Sequence, residues 1–447
     1  MRRKGMDGDL TSGNITAKLL KFALPLMVGN VLQQFYNVID TLIVGRVLGT
    51  NALAAVGSSY TLMTFLTSIL IGLSMGSSAY FAIQFGKKDY ESLNRGIFLS
   101  FVLIGIFTVI LNVLIFALLP WIIRILQVPS EIHGLIREYL LWIFCGLLAT
   151  FLYNFFANLL RAVGNSLVPL LFLGVSAVLN IFLDILFVMV FSWGVKGAAV
   201  ATVIAQFAAG IGIAVYCYFG FPRLRVRKCH MHWNGEILKE IFGLSFLTCL
   251  QQSVMNFGIL MVQGLVNSFG TTVMAAFAAA VKIDTIAYMP VQDFGNAFST
   301  FVAQNYGAGK KERIWQGIKK SVAFVFGFCA LVSLLVCFFA GPLMGIFVEA
   351  QNVEVIRAGV EYLRIEAAFY FGIGLLFMLY GYYRAVKKPG MSVILTVCSL
   401  GTRVALAYLL SGISAIGVTG IWAAIPIGWV FADVVGILYY FGSPART

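Results

Sequence analysis

Charged residues and histidines are scarce in this sequence. Of its 447 residues only 11% are charged, and its three histidines, His133, His230 and His232, fall in loops between apolar stretches. The apolar stretches contain no HExxH zinc signature, and the chain has no GxxxxGK[ST] phosphate loop. These absences exclude a zinc hydrolase and a nucleotide-driven pump. We therefore expect no catalytic residues and no resident cofactor.

Cysteine is also sparse. Six of the seven cysteines lie inside apolar stretches, where a small side chain packs well, and the seventh, Cys229, belongs to the loop motif CHMH with His230 and His232. A structural zinc site needs four ligands. Because no fourth ligand is evident, we interpret this motif as a solvated loop and predict no metal site.

Apolar residues, in contrast, make up 60% of the chain and give a mean hydropathy of +0.93. Twelve apolar stretches are long enough to cross a bilayer, and short polar or Gly/Pro segments separate them. This pattern predicts an all-α polytopic membrane protein. The predicted spans are 17–48, 52–85, 92–119, 132–160, 167–191, 195–220, 237–268, 272–308, 312–340, 353–384, 389–412 and 415–442.

Positive charge is distributed unevenly between the two ends of these spans. With the N-terminus in the cytoplasm, 23 of the 31 Lys and Arg residues fall in or beside cytoplasmic segments. This positive-inside pattern predicts that both termini are cytoplasmic. The net charge of +13 then reflects topology, and we expect no nucleic acid partner. The basic start MRRKGMDGDL precedes an apolar run too long for a signal peptide, so we expect a retained first helix.

The chain repeats itself at a nearly constant distance. GTNALAAV at 49–56 returns as GTTVMAAF at 270–277, and GVKGAA at 194–199 returns as GVTGIW at 417–422. Two repeats of six spans enter the membrane from the same side, which predicts two six-helix bundles related by a pseudo-two-fold axis along the membrane normal. The predicted domains are an N-terminal bundle (1–220), a basic cytoplasmic linker (221–236) and a C-terminal bundle (237–447).

A polar stripe interrupts the first span. Asn37, Asp40 and Thr41 share one helix face, and Gln33 lies one turn before them. An ionisable residue within a span costs about 2.5–3.5 kcal/mol on insertion scales and is a candidate for function. Asp40 is therefore a candidate ion-coupling residue, and Gln33 and Asn37 are candidate substrate contacts.

Spans 5 and 6 carry matching stripes, with Asn180 and Asp184 in one and Thr202 and Gln206 in the other. At ~1.5 Å per residue, Asp184 lies about 27 Å from the cytoplasmic start of its span, and Thr202 about 10 Å inside the outer start of the next. The stripes of spans 1, 5 and 6 are thus predicted to meet in the outer half of one bundle. There Asp40 and Asp184 are expected to take up and release a proton near neutral pH. The neutral side chains of Asn180 and Thr202 can form hydrogen bonds with the protonated or the ionised pair.

Each of these interpretations has a structural alternative. Asp40, Asn180, Asp184 and Thr202 are the candidate ion-coupling residues, which we call the coupling set, and Gln206 is a candidate substrate contact. Polar residues in membrane bundles often only link helices, and that alternative applies to the coupling set and to Gln206. Asn154 and Asn158, on one face of span 4, either contact substrate or pack. Pro25 in span 1 is either a conformational hinge that responds to Asp40 or a static kink.

Three segments resemble the multidrug and toxic compound extrusion (MATE) family, and the likeness covers nearly the whole chain: LPLMVGNVLQQFYNVIDTLIVGRVLGTNALAAVG, RAVGNSLVPLLFLGVSAVLNIFLDILFVMVFSWGVKGAAVATVIAQ and QNYGAGKKER. The resemblance implies a prokaryotic cytoplasmic (inner) membrane protein that exports organic cations and other amphipathic compounds in exchange for protons or sodium. Asp40, Asn180, Asp184 and Thr202 match the proton-responsive cluster of its DinF-type branch.

The second half departs from the NorM-type branch of that family. Gln251 and Gln252 stand where that branch has a glutamate, so no sodium site of that kind is expected in the C-terminal bundle. Asp284 and Asp293 either contact substrate or belong to a structural charge network. The other members of this charged set are Lys282 and Arg403, with Glu366 near them.

We therefore expect a secondary antiporter, most readily proton-coupled, in which one bundle rocks against the other to export amphipathic, often cationic compounds. Its expected partners are small organic substrates and the lipid bilayer, and the chain is expected to act as a monomer. Two alternatives stay open. A flippase for a lipid-linked saccharide would favour a strongly cationic cleft, and a sodium-coupled antiporter would use the oxygen atoms of the coupling set as ligands.

Overall fold

The structure is a computed structural model that describes residues 8–125 and 130–442, and every regular element in these ranges is helical. Eleven helical segments of this part of the chain are long and apolar enough to cross a membrane. A twelfth span consists of Val353–Ala367 and Tyr370–Ala385, which meet at a bend of 52°. The predicted all-α membrane fold is confirmed.

We number the α-helices in chain order. The N-terminal half contains α1 (Ile15–Leu48), α2 (Thr50–Lys87), α3 (Tyr90–Ile125), α4 (His133–Cys145), α5 (Leu147–Ala162), α6 (Leu167–Asp184) and α7 (Gly194–Gly220). The C-terminal half contains α8 (Gly235–Asn267), α9 (Thr271–Gly307), α10 (Lys311–Gly345), α11 (Val353–Ala367), α12 (Tyr370–Ala385), α13 (Pro389–Ser411) and α14 (Thr419–Gly442). A π-helical segment, Ile185–Val190, follows α6, and 3₁₀ turns occur at Ser130–Ile132, Pro222–Leu224 and Lys228–His230.

The helices form two compact units, and the boundary between the units passes through two of the helices. Residues 24–249 belong to the first unit, whereas residues 10–23 join residues 250–442 in the second. Helix α1 therefore starts in the second unit and continues in the first, and α8 does the reverse. The predicted linker lies within the first unit, where the side chain of Asn94 on α3 donates to the Arg223 carbonyl at 3.0 Å.

The backbone repeats its left-handed turns in the two halves. Residues with positive φ occur at Gly49, Lys88, Gly164 and Gly194, and again at Gly270, Gly309, Lys387 and Gly417. Each residue of the second set lies 221 or 223 positions after its counterpart, as the sequence motifs do. Asn14 and Asn234 likewise cap the starts of α1 and α8 through their Oδ1 atoms. The duplication thus extends to the turns and caps.

A short segment before α1, residues 10–13, is held within the second unit by side chains of the QNYGAGKKER motif. We call it the N-terminal strap. Gln304 Oε1 accepts a hydrogen bond from the Leu10 amide at 3.0 Å, and Lys310 Nζ donates to a strap carbonyl at 2.8 Å. Arg313 donates to the carbonyls of three strap residues at 2.8–3.2 Å. Because these donors are cationic, the strap is bound by strong hydrogen bonds.

Lys88 offers a test of the repeated turns. It is left-handed (φ 62°, ψ 20°) at the C-cap of α2, where its counterpart is Gly309. A side chain in this conformation costs roughly 1–2 kcal/mol, part of which glycine recovers. We predict that Lys88→Gly stabilises the purified protein by up to about 1 kcal/mol in thermal unfolding. Lys87→Gly, inside the helix, should instead destabilise it, and equal effects of the two variants would contradict the prediction.

Arg313 offers a test of the strap. Arg313→Ala removes donors from three strap carbonyls, and hydrogen bonds to charged groups contribute about 1.5–3 kcal/mol. We predict that hydrogen exchange of the Leu10 amide accelerates about tenfold or more, as measured by mass spectrometry of the N-terminal peptide. Lys320→Ala, at an exposed position on the same helix, is the control. Equal hydrogen-exchange rates of the Leu10 amide in both variants would show that Arg313 does not hold the strap.

Candidate functional site

One predicted polar set comes together inside the first unit. Asn180 and Asp184 lie in the last turns of α6, Thr202 lies in α7, and Asp40 lies on α1. Asn180, Asp184 and Thr202 are buried, with Asp184 0% exposed, and Asp40 is half-buried. We call these four residues the Asp40–Asp184 cluster. They bring two carboxyl groups together within the first unit, one of them fully buried.

Asn180 connects α6 with α7. Its amide nitrogen donates to Asp184 Oδ2 at 2.9 Å, and its amide oxygen accepts from the backbone nitrogen and the hydroxyl of Thr202, both at 3.2 Å. This orientation of the amide gives each of its atoms a partner of the opposite kind. The neutral amide therefore fixes the position of the Asp184 carboxyl group.

The carboxyl groups of Asp40 and Asp184 lie close enough to interact with each other. An ionised carboxylate only accepts hydrogen bonds, so a hydrogen bond between the two groups needs a proton on one of them. Within the described ranges neither group forms a salt bridge, and the Oδ1 atom of each lacks a hydrogen-bond partner. Since two adjacent negative charges repel strongly in a medium of low dielectric constant, the pair is suited to bind and release a proton.

Two tyrosines that the sequence analysis missed lie beside the cluster. Tyr36 lies beside the Thr202 side chain, and both Tyr36 and Tyr139 lie close enough to interact with the charges of the two aspartates. Tyr36 lies four residues before Asp40 on the same face of α1, so helical spacing identifies it once aromatic hydroxyl groups are counted as polar. Tyr139, on α4, has no comparable signal in the sequence.

The backbone changes immediately after Asp184. Ile185–Val190 is π-helical, and the amide of Phe191 bonds to the carbonyl of Leu186 at 2.9 Å. Such segments are frequent at functional sites because they redirect side chains. In the second repeat, α13 continues as a regular helix through Ala407, the counterpart of Asp184. The Asp40–Asp184 cluster is therefore a feature of the first unit.

Three of the other predicted substrate contacts in the N-terminal half form hydrogen bonds with groups on its helices. Gln206 Oε1 accepts from the Thr150 hydroxyl at 3.1 Å. Asn154 and Asn158 each donate to the carbonyl four residues earlier on α5, at 2.8 and 2.9 Å. On α1, Asn37 is half-buried and Gln33 is exposed. Gln206, Asn154 and Asn158 thus form hydrogen bonds within the first unit, Gln33 is exposed, and substrate contact by any of the four stays a prediction.

Pro25 lies inside α1, which is continuous from Ile15 to Leu48. It follows Ala23, the last α1 residue of the second unit, by two positions. A proline removes one backbone hydrogen bond from a helix. The weakest point of α1 thus coincides with its passage from one unit to the other, and the hinge role of Pro25 stays a prediction.

The C-terminal charges form a second buried cluster, inside the second unit. Asp284 accepts from the hydroxyl group of Tyr370 at 2.7 Å and from that of Tyr362 at 3.5 Å. Its carboxyl group is also in contact with that of Glu366, and the two are 4% and 1% exposed. Arg403 lies close enough for its charge to act on both. The two tyrosines, on α11 and α12, were not identified from the sequence.

Lys282 and Asp293 occupy different positions from Asp284 on the same helix. Lys282 is exposed while Asp284 is buried, since residues two apart do not share a helix face. Asp293 is buried about 13 Å further along α9. The three members of the charged set on α9 are therefore spread along that helix. Asp284, together with Glu366 of α11, forms the buried centre of the set.

The loop motif at Cys229 is placed as the sequence suggests. Cys229 is exposed, and His230 Nδ1 accepts a hydrogen bond from the Arg227 amide at 3.0 Å. In residues 8–125 and 130–442, no group of three or more His, Cys, Asp or Glu side chains is arranged to hold a metal ion. His230 thus serves as a backbone acceptor in the linker.

Comparisons with known proteins agree with this architecture. The family model MatE matches residues 25–186 and 244–409. The chain is 30% identical over 440 residues to the probable multidrug resistance protein YpnP of Bacillus subtilis, covering 97% of this chain and 96% of that protein. It is 27% identical over 438 residues to the probable multidrug resistance protein NorM of Thermotoga maritima, covering 96% and 93%.

A solved structure has the same fold. It is a MOP superfamily transporter from Pyrococcus furiosus, with a TM-score of 0.90, 24% identity, and coverage of 98% of this chain and 97% of that chain. Assignment to the DinF-type branch stays a prediction. The helical spans, the duplication and the family match over more than half of the chain lead to one conclusion: this multi-pass membrane protein is a transporter, not an enzyme, and belongs to the MatE family of multidrug and toxic compound extrusion proteins.

Proposed function

We propose that this protein is a secondary multidrug exporter that moves small amphipathic, often cationic compounds out of the cell in exchange for protons. The observation that carries this proposal is the proximity of two carboxyl groups, those of the buried Asp184 and the half-buried Asp40, without a salt-bridge partner in the described residues. The multidrug resistance names of the relatives support the substrate class.

In the proposed coupling, a proton and a cationic substrate compete for the negative charge of the cluster. When the Asp40–Asp184 cluster loses a proton, it gains a negative charge that its apolar surroundings do not offset, and a cationic substrate can supply the counter-charge. Protonation removes that charge and weakens the hold on the cation. Asn180, Thr202 and Tyr36 supply hydrogen bonds to rearrange between the two states, and Pro25 allows α1 to bend in response.

The proposed orientation follows the basic segments. With both termini in the cytoplasm, the linker and the α9–α10 junction lie on the cytoplasmic side of a prokaryotic cytoplasmic membrane. A proton that enters the cell through the cluster then moves against the exported compound. We propose that a monomer carries out this cycle, because both carboxyl groups of the cluster come from one chain.

The first test is ethidium efflux from proteoliposomes with an imposed proton gradient or sodium gradient. We predict that a proton gradient alone drives efflux, and that Asp184→Asn and Asp40→Asn reduce it to the rate of protein-free liposomes. Each substitution removes one titratable partner of the pair while it preserves side-chain size. Asp89→Asn is the matched control, because Asp89 lies in the turn between α2 and α3 and Asn can also cap a helix.

A second readout separates coupling from folding. Exchange of labelled substrate across the membrane without any gradient needs an intact carrier but no net proton flow. A variant that exchanges substrate but fails to use the gradient has lost coupling alone. Normal gradient-driven efflux by both cluster variants would refute the proposed mechanism.

Sodium is the second candidate ion. Two carboxylates, an amide and a hydroxyl group are ligands that hard cations accept, and the Asp40–Asp184 cluster contains all four. Efflux driven by a sodium gradient at equal pH on both sides would assign the cluster to sodium. Efflux driven only by the pH difference would assign it to protons.

For the cluster around Asp284 we propose a structural role, because Tyr370 and Tyr362 already bond the carboxylate within the second unit. Loss of a hydrogen bond to a buried carboxylate costs about 1.5–3 kcal/mol. We predict that Tyr370→Phe lowers the thermal unfolding temperature and leaves the choice of coupling ion unchanged. Tyr408→Phe, at an exposed position on α13, is the control. A change of ion dependence in Tyr370→Phe would instead support a transport role for Asp284.

A further inference from the structure

An apolar groove lies on the surface of the first unit, between α6 and α7. It is a shallow, open depression with a volume of about 560 Å³. Its lining consists of Phe172, Gly212, Val215, Tyr216, Phe219 and Gly220. Spacings of three and four residues place the α7 members on one face of that helix. We call this feature the α6–α7 groove.

The shape of the groove comes from glycine and aromatic residues. A Cβ atom on Gly212 would lie 2.7 Å from the Phe172 ring, so the ring fills the notch that this glycine leaves. Tyr216 then packs against Phe172 at 6.0 Å between ring centroids, while Phe219 stays 68% exposed. An exposed apolar concavity of this kind on a membrane-spanning helix suits an acyl chain more than a polar ligand.

The end of the groove leads into a basic segment. Residues 221–236, the basic linker predicted from the sequence, contain four Arg or Lys residues, two histidines and one acidic residue, Glu236 at the start of α8. Arg225 Nε donates to the Tyr218 carbonyl at 2.6 Å, and its Nη2 donates to the carbonyl of Phe219, a groove residue, at 3.4 Å. These bonds hold a guanidinium group at the last turn of α7.

The other cations of the basic linker are exposed. Arg223 is exposed and stacks over the Tyr90 ring at 5.3 Å, and Arg227 and Lys228 are exposed as well. The nearest acidic residue of α3, Glu91, is engaged with Arg95 at 3.0 Å. Trp233, 71% exposed, adds an aromatic side chain of the kind found at membrane interfaces.

We propose that the α6–α7 groove and the basic linker together form a binding site for an anionic phospholipid. One acyl chain lies in the groove, and the phosphate lies at the arginines that follow α7. The cytoplasmic leaflet is the anionic one, and each Lys or Arg near it strengthens binding by roughly a factor of five. The site rests on the proposed orientation of the chain, but its test reads lipid binding and not efflux.

The experiment is native mass spectrometry of the full-length protein, titrated with phosphatidylglycerol or with phosphatidylcholine of identical acyl chains. We expect the parent protein to prefer phosphatidylglycerol. Arg223→Gln combined with Arg227→Gln should reduce that preference roughly 25-fold, which corresponds to a factor of about five for each charge. Val215→Trp, which fills the groove, should weaken the binding of the first lipid of either kind. Arg225 is left intact because it caps α7.

Matched controls separate this site from general effects. Lys311→Gln with Lys320→Gln removes the same charge from exposed positions of the second unit, and Ile211→Trp adds the same bulk at an exposed position of α7 outside the groove. Both should bind lipid as the parent does. Glycerophosphoglycerol, which lacks acyl chains, should not bind, and this outcome distinguishes a lipid from a free phosphate ester.

Three outcomes would overturn the proposal. The first is equal binding of the two lipids by the parent protein. The second is an equal loss of lipid binding in the test variants and the controls. The third is binding of glycerophosphoglycerol as strong as that of the lipid. Melting temperatures within the same range for all variants ensure that each comparison is made on folded protein.

Discussion

Carboxyl groups buried in apolar helix bundles impose the main constraint on both units. A lone ionised carboxylate in such surroundings is costly, so each must share a proton, accept hydrogen bonds or face a cation. Both units meet this requirement with a pair of carboxyl groups in contact, Asp40 with Asp184 and Asp284 with Glu366. The helices that carry these side chains must approach one another closely for either pair to exist.

The two pairs of carboxyl groups differ in the hydrogen bonds and charges that surround them. In the second unit, Asp284 receives two tyrosine hydroxyl groups and lies near the charge of Arg403, so its surroundings favour one fixed state. In the first unit, the support comes from neutral groups that can donate or accept, namely the amide of Asn180 and the hydroxyl of Thr202. A pair with neutral, reversible partners is better suited to change its protonation state. The duplicated architecture thus contains one fixed cluster and one adaptable cluster.

Much of this arrangement could be predicted from the sequence, because hydropathy and helical spacing are local properties. They located the spans and the duplication, and they predicted that Asp40, Asp184 and Thr202 would meet. They did not identify Tyr139, the bonds of Tyr362 and Tyr370 to Asp284, or the passage of α1 from one unit to the other. Those features depend on how distant helices pack, and neither residue spacing nor composition encodes the rotation of one helix against another. The α6–α7 groove could not be predicted from the sequence for the same reason, since its shape arises where Phe172 of α6 meets Gly212 of α7.

The division of α1 and α8 between the units has a consequence for how each unit is built. Residues 15–23 of α1 belong, together with the N-terminal strap, to the second unit, and residues 235–249 of α8 belong to the first. Each repeat therefore lends the beginning of its first helix to the unit of the other repeat. Neither repeat, taken as a continuous stretch of chain, contains all of its own unit, so neither is expected to fold completely when it is expressed alone.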